Sequence, residues 1–502
     1  MAAFGDIPGV NYPSDSGAGQ TGAFWHPASV DPATVLRSFA RPGHWDGIEA
    51  TRPNYHTLTA QKVLRVSFQG KQATGVVFVP ANATDQSNAR TVRAKKEIII
   101  ASGSIHTPQI LQASGVGPKQ LLKDAGIPLV VDSPGVGSNF QDQPFNMVPT
   151  FNCECLCSRR FHGFHECESR VTDELLVSTF PFHPDFYDKL FNATFIAEAQ
   201  AQFDANRTGP MSIASGNCGS WLSLPVIAPK AWKGIADKYE AQGAADYLPR
   251  GTDKGVVAGY KAQQKALAKA MRSRDSATYN FFLRGGYQES SVVYLHPVSR
   301  GTVHINTSDP FFSQPEVDYR ALSNPIDLEV LLQFTSFTRR YFYETRLKTL
   351  DPVELSPGAD VKTPDQIAAW VRGEMIPSSF HPIGTAAMMP KNLGGVVDQD
   401  LLVYGVKGLS VVDASVMPDL PGSYTQQTVY AIAEKVSVCL GFWVPPLTIP
   451  GCGSHQEEGV VWEWRLRLTL DTKGAGSRWH CHMELYLGRH QELLEESCTL
   501  LL

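Results

Sequence analysis

The chain is short of the features that would place it on a polyanion or in a bilayer. Its 44 Lys and Arg stand against 49 Asp and Glu, a formal charge of −5, and the cations are scattered. A nucleic-acid or anionic-membrane surface needs them clustered, so neither partner is expected. No apolar run reaches the ~18 residues of a membrane span. The N-terminus also lacks the basic start and apolar core of a signal peptide. As written, the chain reads as cytoplasmic, with secretion left open should sequence precede Met1. Asn82, Asn192, Asn206 and Asn306 each begin an N-x-S/T sequon, which suits a secreted protein. The first residues, MAAFGDIPGVNYPSDSGAG, hold no β-branched strand leading into a GxGxxG turn. A CxxC pair is missing too. Cys153, Cys155, Cys157 and Cys167, with His162 and His165 among them, are ligand types that zinc prefers, but alternate-residue spacing fits a closed tetrahedral site poorly. No metal is expected.

What is present suits a large α/β protein. With 502 residues and 43% hydrophobic content, the chain can bury a sizeable core and form two or more structural units. Its most informative stretch is GSIHTPQILQASGVG, residues 103–117. The preceding KKEIIIAS is charged and then β-branched, which reads as a buried parallel strand stopping at Gly103. Ser104 and Thr107 can cap, Pro108 suits a first helical turn, and the helix through Ile110 and Leu111 is expected to stop at Gly115. A strand, a tight turn and a helix N-terminus form a site where nucleotide phosphates sit on free backbone N–H groups. An ordinary βα turn has the same pattern.

The particular residues distinguish the two. GSIHTPQILQASGVG resembles the second signature of the glucose-methanol-choline family of FAD-dependent oxidoreductases, and further blocks follow in family order. RSFARPGHW and TRPNYHTLTAQKVLRV are similar to the segment before that signature; HPVSRGTVHI, SSFHPIGTAAMMP and GLSVVDASVMP are similar to the C-terminal half. The resemblance covers residues 20 to about 436, with the fungal aryl-alcohol-oxidase and dehydrogenase branches closest in character. It implies an α/β fold: a partial FAD-binding, Rossmann-like domain at 1–145, a sheet-and-helix substrate domain at 146–377, and a return to the FAD domain at 378–436. The glycine-rich βαβ unit that binds the ADP half of FAD in this family has no counterpart in the opening residues. The stretch CECLCSRRFHGFHECESR and the tail at 437–502 depart from the family. The first reads as an insertion or retained intron, and the second, without a clear period, as translated non-coding sequence or a poorly packed extension.

The resemblance also implies a chemistry. FAD is the cofactor, a small-molecule alcohol the substrate, and the reaction hydride transfer to flavin with a histidine base, in the manner of fungal secondary-metabolite enzymes. His381, in HPIGT, matches the family's base, and its ordinary pKa of about 6.5 suits proton acceptance near neutrality. Tyr424 falls where the family has histidine or asparagine, and a phenol is a poor base, so it is either a hydrogen-bonding partner of the alcohol or packing. Gln143 stands where the family commonly has histidine. Val63 matches the residue whose backbone meets adenine; Ser102, Gly103 and Ser104 match the strand end beside the flavin nucleotide. Asp413 and Ala414 match the loop near the pyrophosphate and ribityl chain, and Thr425 and Gln426 the residues near the isoalloxazine. Asp413 also reads as a plain helix N-cap. The alternative function is a noncatalytic or flavin-deficient remnant acting as a binding protein, or a truncated gene model. Oligomeric state is not legible.

Overall fold

The computed structural model describes residues 1–15, 19–48, 50–146, 178–179, 192–212, 218–283, 290–350, 352–354, 356–439, 462–471 and 478–487. The cysteine- and histidine-rich stretch from Cys153 to Cys167 lies outside them.

The largest sheet has five antiparallel strands in the order Gly22–Trp25, Cys218–Ser223, Ala277–Leu283, Ser290–Tyr294 and Phe145–Asn146. Its two faces do different work because successive side chains alternate. Leu222, Tyr279, Phe281, Val292 and Tyr294 point to one face. There they meet the helices Trp232–Ala241, Lys254–Arg272, Pro325–Glu344 and Pro364–Glu374. The seam is aromatic: the Tyr279 ring meets Phe334 and Phe337 edge-on at 4.9 and 5.1 Å. Each such pair contributes about 0.5–1.5 kcal/mol beyond its buried area. Across the other face runs a straight register row, Trp221 opposite Asn280, Asn280 opposite Val293, and Val293 opposite Phe145.

A second region is built on the signature. Ile98–Ile100 pairs in parallel with Leu409–Val411, and the helix Gly103–Ala113 follows at once. Both match the sequence reading, as does the helix end, where Ser114 is the C-cap and Gly115 takes φ +86°. Only a residue without a Cβ adopts that angle without strain. Ile98 and Ile100 are buried with Leu111 and Val411, but Ile99 between them is 43% exposed. The strand is therefore covered on one face, not both, among the described residues. The turn QGK, Gln69 to Lys71, reads as a hairpin in the sequence, and it joins Gln61–Gln69 to Gln72–Pro80, with Gly70 at φ +59°.

Other readings need correction. Pro108 lies inside the helix rather than in its first turn, because the helix starts five positions earlier, at Gly103. Within TGPMSIASG, whose sequence reads as a strand, the described residues form a 3-10 turn at Pro210–Ser212 following Gly209 at φ +88°, residues 213–216 lying outside the described ones, and the neighbouring strand begins at Cys218. In the tail, expected to lack a period, Trp462–Asp471 pairs antiparallel with Arg478–Leu487. WEWRLRLTLD does alternate apolar and polar residues, the period of a strand.

Candidate active site

His381 sits on a loop clamped from both sides. On one side is the segment Asn139 to Gln143, buried from Phe140 onward. Asp142 Oδ1 accepts from the His381 backbone N–H at 3.1 Å, and Asp142 Oδ2 accepts from Ser378 Oγ at 2.6 Å. Ile383 and Gln141 exchange backbone bonds of 2.9 and 3.2 Å. Gly384, at φ +91°, could not carry a side chain, since a Cβ there would lie 2.4 Å from Asn139 O. On the other side is the signature helix. Ser104 Oγ donates to Pro382 O at 2.7 Å, and Ser104 O accepts from Thr385 Oγ1 at 2.7 Å. The second bond follows from Pro108, which has no N–H to give the carbonyl four residues back. The freed Ser104 carbonyl is therefore open to Thr385.

The imidazole is half-buried, and burial pulls its pKa down from 6.5 to about 4, so the ring is neutral at neutral pH. Its Nδ1 lies 2.8 Å from Gln143 Oε1 and 2.9 Å from Ser379 Oγ. Nε2 makes no hydrogen bond among the described residues. A low pKa is not distinctive in itself, because burial also brings His296 to about 4, against the Leu420 backbone and near Gly422. The open nitrogen and its setting distinguish His381. Asp142 is pushed the opposite way, up to about 6, because burial outweighs the bonds it accepts from Ser378, His381, Gln143 and Ser379.

The Tyr424 ring lies 5.0 Å from the His381 ring at an interplanar angle of 33°. Its phenol donates to Asn280 Oδ1 at 2.7 Å, and Asn280 Nδ2 donates to Ser220 O at 3.2 Å. Tyr424 thereby joins the aromatic face of the sheet. Trp221 meets it edge-on at 6.1 Å and stacks on Phe24 at 4.8 Å. Sequence reasoning paired Tyr424 with His381 but missed Asn280 and Trp221, whose only signal is their register on adjacent strands.

The residues matched to cofactor contacts fall into groups. Asp413 Oδ2 accepts from the Gly103 backbone N–H at 3.0 Å and from the Thr107 hydroxyl, while Oδ1 accepts from Ser415 N–H at 2.8 Å. Asp413 thus caps its own turn, Ala414–Val416, and the signature helix as well. Ser102 is exposed and Ser104 is buried against the His381 loop, while Ala414 is half-buried behind Asp413. Thr425 is buried at the start of the helix Thr425–Cys439, next to an exposed Gln426. Val63 stands apart. It is 41% exposed on Gln61–Gln69, a strand that meets the far end of the signature helix, where Val66 N–H donates to Ser114 Oγ. A Cβ built on Gly103, at φ +76°, would meet nothing within 4 Å. Strand end and helix start therefore border open space, and this arrangement fits one flank of a dinucleotide. Among the described residues no group of three or more His, Cys, Asp or Glu could hold a metal ion, and no helix is long and apolar enough to cross a membrane.

Comparison with known proteins follows these blocks. Models of the GMC oxidoreductase family match residues 48–145 and 297–433. An FAD-dependent oxidoreductase from Chaetomium thermophilum superposes with a TM-score of 0.78 at 35% identity, over 88% of this chain and 71% of its own. A fungal aryl-alcohol oxidase superposes with 0.76 at 34%, over 87% and 69%. Dehydrogenase xptC of Emericella nidulans is 34% identical over 439 residues, 86% of this chain and 64% of its own. The chain belongs to the GMC oxidoreductase family, and its similarity is to the fungal dehydrogenases and aryl-alcohol oxidases. It spans 59 to 64% of the length of three of the curated relatives it matches.

Proposed function

We propose that this chain takes part in FAD-dependent oxidation of an alcohol to a carbonyl compound, with His381 as the base. The carrying observation is the state of His381: neutral, engaged at Nδ1 and open at Nε2. Oxidation removes two hydrogens from one carbinol unit, the hydroxyl proton and a hydride from carbon. His381 Nε2 takes the proton. FAD, when bound, supplies the hydride acceptor. Beside His381 stands Tyr424, backed by the buried rings of Trp221 and Phe24, and this aromatic side favours an aromatic substrate. Tyr424 directs its own proton to Asn280, so it meets the alcohol as an acceptor or a packing surface rather than as a donor.

For the cofactor, we assign Val63 to the adenine end and Ser102, Gly103 and Ser104 to the strand end beside the nucleotide. Asp413 and Ala414 go to the pyrophosphate and ribityl side, and Thr425 and Gln426 to the isoalloxazine side. Family membership, the fungal relatives and the open space at Gly103 support this reading. The test is direct. The purified chain, mixed with FAD and freed of excess, is expected to show a flavin spectrum that bleaches anaerobically on adding a benzylic alcohol. Colourless protein that takes up no FAD would leave a binding role without redox chemistry.

A further inference from the structure

We propose that Gln143 is the positioning residue that sets the tautomer of His381, keeping the ring proton on Nδ1 so that Nε2 carries the lone pair. The inference rests on the reading of His381 as base for its catalytic meaning, but not for its physical content.

Gln143 is fully buried, so its amide must be satisfied by protein groups. Three backbone oxygens converge on its Nε2: Leu295 O at 3.3 Å, Pro421 O at 3.4 Å and Ser423 O at 3.1 Å. An amide oxygen in that place would face three other acceptors, so the NH2 group belongs there. The opposite atom, Oε1, then faces His381 Nδ1 at 2.8 Å. A carbonyl oxygen has no proton to give, so Nδ1 must donate.

Ser379 Oγ, 2.9 Å from the same nitrogen, is the competitor. A hydroxyl can donate or accept, and by itself would permit either tautomer. If Ser379 donated, the lone pair of Nδ1 would point at Oε1 across 2.8 Å in a buried site, a repulsive arrangement. Gln143 therefore decides and Ser379 follows. Asp142 holds the two partners in register, because its Oδ1 accepts from both the Gln143 and the His381 backbone N–H groups, at 2.7 and 3.1 Å. Tyr424, packed beside the imidazole, opposes rotation of the ring.

The measurement is the 15N shifts of the imidazole nitrogens in the full chain labelled at histidine. His381 is identified among 14 histidines by the signal lost in His381→Asn. Wild type is expected to show a protonated Nδ1 and a bare Nε2. Gln143→Leu removes the acceptor and leaves Ser379 free to donate, so the proton is expected on Nε2 for much of the population. Adding Ser379→Ala should then leave a mixture of both forms. A wild-type ring protonated at Nε2, or an Nδ1–H form unchanged in Gln143→Leu, overturns the proposal. The wild-type spectrum alone decides should the variant fail to fold. With FAD loaded, Gln143→Leu is expected to slow flavin reduction by about 10²-fold with little change in the alcohol concentration for half-saturation. If His381→Ala reduced flavin at an unchanged rate, the base assignment would fail while the spectra still judged the tautomer.

Discussion

The five-stranded sheet and the parallel pair at Ile98–Ile100 are closed to different degrees. The first has apolar side chains on both faces, with helices against one and the Trp221, Phe24 and Tyr424 rings on the other. The second leaves Ile99 43% exposed between two buried neighbours, although parallel strands are normally covered on both faces. The face proposed for the alcohol is packed against its neighbours among the described residues. The region proposed for the cofactor has an open face at Ile99, so its stability should depend more on what covers it.

The largest expected effect tests the chemistry between the two regions. His381→Ala should lower the rate of flavin reduction about 10²- to 10⁴-fold in anaerobic stopped flow while FAD stays bound. An unchanged rate would move the base elsewhere. Asp413→Ala attacks the open region, stripping the Gly103 cap and the bonds from Thr107 and Ser415. We expect a loss of about 2–4 kcal/mol in denaturant unfolding. If the comparison holds, FAD at about 100 times its Kd should add about 2.7 kcal/mol of stability. Hydrogen exchange should show the gain at residues 98–113 before 277–283, and equal protection would break the contrast. Tyr424→Phe removes one bond to Asn280, worth about 1 kcal/mol. It should change flavin reduction less than about tenfold; a larger loss would make the phenol part of the chemistry.

The smallest expected effect is a cancellation. His381 has its folded pKa lowered from 6.5 to about 4, so the unfolded chain takes up the proton first and stability is lost as pH falls through that window. Asp142 is raised from 3.8 to about 6, so its contribution is lost as pH rises over nearly the same range. Together they should leave little slope between about pH 4 and 6. Asp142→Asn should unmask the histidine, with stability falling as pH drops below about 6.5, as followed by urea titration.

Local chemistry made the signature legible. Three isoleucines and Gly103 announce a strand and a stop wherever the rest of the chain lies, and the ordered blocks around them carry the family. What escaped depends on distance. The helix begins at Gly103 because Asp413, 310 residues further on, supplies its cap, so Pro108 could not be placed from its neighbours. Gln143 looked like a simple departure from a family histidine. Its partners at Leu295, Pro421 and Ser423 come together only in the fold. Asn280 was hidden for the same reason, since its meaning lies in the register that sets it opposite Trp221. The alternation in WEWRLRLTLD, by contrast, is a local strand signal.

The bond from Thr385 to Ser104 makes two motifs into one device. Pro108 acts through something it fails to do: by withholding a donor, it reserves a carbonyl for a hydroxyl 281 residues away. Pro108→Ala would introduce a rival N–H for that carbonyl, and Thr385→Val would leave the carbonyl buried and unanswered. Either change would reach His381 without touching it. GSIHTPQILQASGVG and HPIGT are two halves of a latch, and the proline is the half that keeps it open for the other to close.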